Sequence, residues 1–138
     1  MKESELEFLT QINYNNLQEE VATIGSTIAS IGTNLAKVKK KLFELEKIKI
    51  PKTKAEHYLS FRGQISPKTG KAYTEGEIDA ERRLADWDTT YKKEVMELSY
   101  KKDVLEATLK GLYTKANMLV ETAKDNRSLD IRDTLRNI

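Results

Sequence analysis

Cationic and aromatic side chains alternate in one short, turn-forming stretch of the chain, around the Ser66-Pro67 and Thr69-Gly70 pairs. Proteins that bind single-stranded nucleic acid use this combination, because cations follow the phosphates and aromatic rings stack on the bases. Flexible turns allow such groups to conform to a strand. The sequence therefore predicts a binding site for single strands, formed by six residues: Lys52, Lys54, Tyr58, Arg62, Lys68 and Lys71.

The distribution of charge supports a polyanionic partner. The formal net charge is only +2, but residues 37–73 contain eleven Lys or Arg and three Glu, whereas residues 1–20 contain one Lys and five Glu. A basic block of this kind indicates an anionic partner but does not indicate a particular fold. A second interpretation stays open, in which Tyr58 and Phe61 cap the end of a helical core and the lysines are simply solvated.

The side chains that most enzymes need are missing from the sequence. Cysteine is absent and His57 is the sole histidine, so a Cys/His pair cannot form and a Ser/His/Asp relay would have to be built around this one residue. The common glycine-rich nucleotide-binding motifs do not occur. No close acidic cluster stands apart from a solvated helix face. These observations predict a protein without enzymatic activity, cofactor or metal.

The elements that must carry the basic stretch are indicated by a heptad repeat. Apolar residues recur at alternating spacings of four and three, at Leu17, Val21, Ile24, Ile28, Ile31, Leu35, Val38, Leu42 and Leu45. This pattern is the seam of a coiled coil and predicts one long helix over residues 5–48. A parallel stripe of Gly25, Ala29, Gly32 and Ala36 predicts close packing of a second backbone, unless the glycines merely weaken the helix.

A second long helix is predicted after a break. Pro51 disfavours helical continuation, so the first helix is expected to stop or kink there and residues 49–73 to form a basic connector. Two alternatives stay open within the connector: a short helix over residues 52–61, because proline is tolerated in a first helical turn, and a strand, because Lys-Ile-Lys-Ile alternates. Thr74 and Glu77 have the spacing of a capping box. Apolar heptads then continue over residues 74–124, which predicts a helix that returns antiparallel to the first.

The last residues predict a short third helix. Ser128 is a suitable N-cap for residues 128–138, and a helix of this length is marginal alone, so it must dock on its own hairpin or on a neighbouring subunit. The fold expected overall is all-α: a single domain over residues 1–138, built as a long coiled-coil-like antiparallel hairpin with a central basic loop and a short C-terminal helix.

The sequence offers no sign of a membrane segment. No run approaches the roughly 18 apolar residues that a membrane span requires, and the acidic N-terminus lacks the apolar core of a signal peptide. The absence of cysteine is consistent with a reducing compartment. We therefore expect a cytoplasmic protein.

Short motifs resemble the UvsY-type recombination mediator proteins of bacteriophages. The run Tyr58-Leu59-Ser60-Phe61-Arg62-Gly63 is similar to a tyrosine, serine, arginine, glycine run that follows the family's basic segment. Residues 101–105, Lys-Lys-Asp-Val-Leu, are similar to the family's lysine, aspartate, valine, leucine run. An acidic helix start and an amphipathic, arginine-containing tail complete the similarity, which extends roughly from residue 52 to the C-terminus.

The resemblance implies a function and a set of partners. Members of that family bind single-stranded DNA, assemble as rings through their C-terminal region, and help a recombinase of phage or host to replace the single-strand-binding protein. By this resemblance Lys52 and Lys54 lie near the DNA-contacting residues, and the oligomerisation surface contains Ile131, Leu135 and Ile138. The alternative that the heptads support equally is a structural coiled-coil adaptor or phage assembly protein that does not bind nucleic acid.

Overall fold

The computed structural model describes residues 2–136, with side chains described for residues 2–125. Its regular structure is helical, which confirms the predicted all-α class. The described residues form five α-helices: α1 (Glu3–Leu9), α2 (Leu17–Glu44), α3 (Ile50–Phe61), α4 (Glu75–Leu84) and α5 (Asp86–Arg136). Extended pairing in the same residues is limited to one isolated antiparallel bridge, between Ile65 and Ala72.

The predicted continuous helix over residues 5–48 is wrong at its beginning. Helix α1 ends at Leu9, and a single 3-10 turn, Tyr14–Asn16, precedes α2. The Asn13 side chain accepts a hydrogen bond from the Asn15 amide at 3.1 Å. Asparagine side chains compete with the helix for backbone hydrogen bonds in this way. The heptad seam begins only at Leu17, so the break lies before the residues whose apolar packing favours a continuous helix.

A stop or a kink was predicted at Pro51, and the stop is wrong because the helical path continues through this proline. Helix α3 instead confirms the alternative of a short helix over residues 52–61. A π-helical turn, Leu45–Lys49, leads directly into α3, and the Ile50 amide donates to the Leu45 carbonyl five residues earlier. Proline cannot donate to the carbonyl four residues before it and its ring crowds that group. The wider π turn comes immediately before the proline, which occupies the first turn of α3, a position that tolerates its missing N–H.

The capping box at the start of α4 is confirmed. The Glu77 amide donates to the Thr74 hydroxyl at 3.2 Å, and the Thr74 amide donates back to the Glu77 carboxylate at 3.5 Å. The helix predicted over residues 74–124 is nevertheless interrupted, since Ala85 has extended backbone angles (φ −74°, ψ 138°) between α4 and α5.

Helix α5 continues to Arg136, so the predicted break before a separate helix at Ser128 is wrong. The residues predicted for oligomerisation lie at the end of the chain. The side chains of Ile131 and Leu135, and the whole of Ile138, are outside the described residues.

The chain divides into two compact units, of which the first contains residues up to 36 and residues from 102 onward. Its core contains two residues of the predicted seam, Ile31 and Leu35, while the seam residue Val21 is 49% exposed. The other buried apolar side chains of this unit are Leu6, Leu105, Leu112 and Leu119. The predicted close packing on the small-residue stripe is wrong within the described chain. A Cβ atom added at Gly25 or Gly32 would meet nothing within 4 Å.

The second unit, Lys37–Lys101, contains the basic segment. Its buried apolar side chains are Val38, Leu42, Leu45 and Ile78. The Thr53 hydroxyl lies 3.4 Å from the Tyr91 hydroxyl, and the rings of His57 and Trp87 are 5.7 Å apart. Since later residues of α3 meet earlier residues of α5, the two helices run antiparallel here, as the hairpin prediction requires.

Candidate nucleic-acid interface

The connector after α3 is an ordered turn. The Ser66 amide donates to the Lys71 carbonyl at 2.8 Å, and the Gly70 amide donates to the Ser66 carbonyl at 2.9 Å. Gly70 has a φ of +68°, a left-handed conformation that glycine adopts without steric cost. Ser66 is buried at the base of the turn, whereas Lys68 and Lys71 are exposed. The turn therefore presents both predicted lysines to solvent.

An aromatic cluster holds the base of this turn against the helices. The Phe61 ring lies 5.0 Å from the Tyr73 ring in an edge-to-face arrangement and 4.8 Å from His57. His57 also contacts Trp87, whose ring lies 6.0 Å from Tyr91. Such edge-to-face pairs stabilise packing beyond the area they bury. Phe61 and Tyr73 thus have a structural role, as the second interpretation of the sequence proposed for Phe61.

Helix α3 places Lys54 and Tyr58 beside acidic groups of α4. The two side chains line a cleft of about 500 Å³ together with Glu75 and Asp79. Lys54 is close enough for its charge to contribute to lowering the pKa of Asp79. A phosphate at this position would lie near carboxylates of the same chain, so Lys54 and Tyr58 are less favourably placed than the other predicted residues.

The acidic side of the cleft belongs to a network of ion pairs. Arg82 lies 2.8 Å from Asp79 and 3.3 Å from the buried Asp88, which Lys92 approaches at 2.8 Å. The hydrogen bond from Arg82 lowers the pKa of Asp79, and the charges of Arg82, Arg83 and Lys54 act in the same direction. The hydrogen bond and charge of Lys92 lower the pKa of Asp88, with a smaller contribution from Arg82. These carboxylates neutralise Arg82 and Lys92 from within the unit.

All five predicted cations are exposed, and four of them lie away from the acidic cleft that Lys54 lines: Lys52, Arg62, Lys68 and Lys71. None of them forms an ion pair in the part of the chain that the structure describes. Lys52 lies two residues before Lys54 on α3, and this spacing separates them by about 200° around the helix axis. The structure therefore brings Lys68 and Lys71 together on one turn and Lys54 and Tyr58 together in the cleft, and it places Lys52 on another face.

The sequence interpretation missed the aromatic cluster as a unit. Its signal is the spacing of four between His57 and Phe61 and between Trp87 and Tyr91, which places each pair on one side of a helix. The sequence alone does not show that the two pairs contact each other, because that contact depends on the antiparallel packing of α3 and α5.

Two further properties bear on function. In the residues described, no group of three or more His, Asp or Glu side chains is arranged to hold a metal ion. A search of the same residues for a helix both long enough and apolar enough to cross a bilayer gave none.

Comparison with known proteins gives a match in structure but not in sequence. No protein-family model and no curated protein sequence matches the chain. The crystal structure of the bacteriophage T4 recombination mediator protein UvsY is similar to this chain with a TM-score of 0.68, covering 92% of this chain and 96% of that one at 14% identity. The resemblance read from the sequence is therefore confirmed for the fold.

Proposed function

We propose that this protein is a recombination mediator that binds single-stranded DNA and assists a phage or host recombinase in replacing the single-strand-binding protein. The observation that carries the proposal is the similarity in fold to a recombination mediator over 92% of the chain. The motif at Tyr58-Leu59-Ser60-Phe61-Arg62-Gly63 supports it independently, because its similarity to the family was read from the sequence alone.

The proposed contacts are electrostatic and multivalent. Lys52, Arg62, Lys68 and Lys71 bind phosphates, since these cations are exposed and carry no carboxylate partner among the described residues. A few contacts of this kind are weak in one protomer. Assembly of several protomers, through the C-terminal region that contains Ile131, Leu135 and Ile138, raises the effective concentration of sites along one strand. Lys54 and Tyr58 complete the proposed site.

The test is a mobility-shift titration with a fluorescent oligothymidylate. A variant with Lys52, Arg62, Lys68 and Lys71 all replaced by Ala should lose about 100-fold or more in affinity at 0.1 M salt, because each phosphate contact contributes about 0.7 to the logarithmic salt dependence. The matched control is Lys110→Ala, an exposed lysine of the other unit, which should leave binding unchanged. Equal binding by the quadruple variant would refute the assignment of the site.

A loading assay tests the role of mediator. A recombinase should form filaments more rapidly on DNA already covered by single-strand-binding protein when this protein is added, and the quadruple variant should lose that effect. Acceleration by the wild type and the quadruple variant alike would show that DNA contact through these residues is not involved.

The second candidate is a coiled-coil adaptor or phage assembly protein that binds only protein. It is favoured by the packing of Phe61 against Tyr73 and by the position of Lys54 beside Asp79, because in both cases side chains of the basic segment make contacts within the chain. Oligomers in light scattering without any oligonucleotide shift at low salt would support this candidate over the first.

A further inference from the structure

Phe43 belongs to the second unit and takes no part in its aromatic cluster. Phe43 on α2 is 60% exposed. The neighbouring seam residues Leu42 and Leu45 are buried, so Phe43 lies on the opposite, solvent side of the helix. By contrast, Phe61 and Tyr73 are partly buried by their contact with each other. Stacking on a base requires an accessible ring face, and Phe43 has one.

Cations flank this ring along the same face of the helix. Lys40 precedes Phe43 by three residues and Lys47 follows it by four, which are the spacings that place side chains next to one another on a helix. Both lysines are exposed and neither forms an ion pair in the described residues. They are about 10 Å apart along the axis. Residues 36–49 carry six Lys and two Glu in all.

The surroundings of Phe43 favour a nucleic acid over a protein as its partner. Interfaces between proteins use contiguous apolar patches of several hundred Å². Within this segment the nearest large exposed apolar side chain is Ile48, five residues away and 55% exposed, and two glutamates, a buried leucine and one lysine lie between the two. The residues three and four positions from Phe43 are Lys39, Lys40, Glu46 and Lys47, so the ring lies among side chains with a net charge of +2. Such a ring is complementary to a single strand, which offers flat bases between phosphates.

We propose that Phe43, together with Lys40 and Lys47, forms a second single-strand contact, in which the ring stacks on a base and the two lysines bind flanking phosphates. This inference rests on the proposed binding of single-stranded DNA. It extends the site from the connector turn to the outer face of α2. The sequence does not distinguish Phe43 from other residues outside the seam, because the exposure of its ring is known only from the structure.

The experiment compares an intact oligothymidylate with the same strand carrying abasic sites. Phe43→Ala and Phe43→Leu should each weaken binding to the intact strand by about 5- to 150-fold, the range for loss of one stacked base, without changing the salt dependence. On the abasic strand both variants should equal the wild type. Lys40→Ala with Lys47→Ala should instead reduce the logarithmic salt slope by about 1.4. Met96→Ala, which truncates another exposed apolar side chain, 71% exposed, should change nothing.

Each outcome separates the two proposals. If the wild type binds and both Phe43 variants bind equally well, the stacking contact is refuted and the proposed function stands. If the variants lose the same affinity on intact and abasic strands, or if their mass in light scattering falls, Phe43 packs against another copy of the chain and the stacking contact is refuted. If the wild type binds no single strand even at low salt, the proposed function fails first. Circular dichroism checks that each variant remains folded, as expected for an exposed position.

Discussion

Replacing Lys115 by Met should destabilise the first unit strongly. Lys115 is only 7% exposed, and its ammonium group forms an ion pair with Glu20 and donates a hydrogen bond to the Leu9 carbonyl at 3.0 Å. It therefore ties the end of α1 and the start of α2 to α5. Methionine keeps the aliphatic packing, so the variant removes mainly the charge and its hydrogen bonds.

The size of the effect follows from the burial of the partners. Removing one member of a buried ion pair costs about 3 to 5 kcal/mol, but the Glu20 side chain is 20% exposed and regains part of its hydration. Loss of the hydrogen bond to Leu9 adds about 1 kcal/mol. We expect a loss of about 3 kcal/mol in the free energy of unfolding. In the double variant Lys115→Met with Glu20→Gln, the carboxylate that Lys115→Met leaves unpaired is removed as well, and we expect the free energy of unfolding to rise again by about 1 kcal/mol.

The assay is urea unfolding followed by circular dichroism at one fixed protein concentration, because self-association would shift apparent stability. The control is Lys124→Met. Lys124 is paired with Glu121 at 3.9 Å on the surface, and such pairs contribute little, so this change should stay within about 0.5 kcal/mol. A loss below about 1 kcal/mol for Lys115→Met would refute the conclusion that this lysine holds α1 in place.

Three further outcomes are expected. Gly111→Ala should destabilise by about 1 kcal/mol in thermal melts despite alanine's helix propensity, since its Cβ would lie 2.8 Å from the Thr10 methyl group; adding Thr10→Ala should reverse the loss. Gly32→Ala has open space around it and should stabilise by about 1 kcal/mol, and a loss instead would indicate that another copy packs there. The pKa values of Asp79 and Asp88 are lowered in the folded protein. The two carboxylates therefore contribute their full stabilisation above the ordinary pKa of 3.8, and this stabilisation is lost as the pH falls from that value through the folded-state pKa. Unfolding experiments between about pH 6 and pH 2 should show the loss, and Arg82→Gln should make the loss smaller.

The parts of the fold that were predictable from sequence are those that local chemistry determines. The heptad seam predicted the buried positions Ile31 and Leu35, and the Thr74 hydroxyl forms the predicted capping box with Glu77. The π turn before Pro51 was not predictable, because a proline can equally end a helix or follow a wider turn. Which occurs depends on packing of the residues beyond it, as with the contact between Thr53 and Tyr91.

The candidate site was less predictable than the fold. Composition identified the basic segment, but the surroundings distinguish its members: Lys68 and Lys71 lie on the exposed turn, whereas Phe61 packs against Tyr73 and Lys54 lies near Asp79. A sequence gives the types of side chain in a segment. Which of them remain accessible is decided by contacts with α4 and α5 that lie far away along the chain.

The salt dependence of binding to an oligothymidylate tests the central claim most directly. With three to four phosphate contacts, the logarithm of the association constant should fall against the logarithm of salt concentration with a slope of about −2 to −3, so that binding weakens by about 15- to 60-fold between 50 and 200 mM salt. Undetectable binding at 50 mM salt, or an affinity that does not change up to 200 mM, would contradict a site built from exposed cations that grips an unpaired strand.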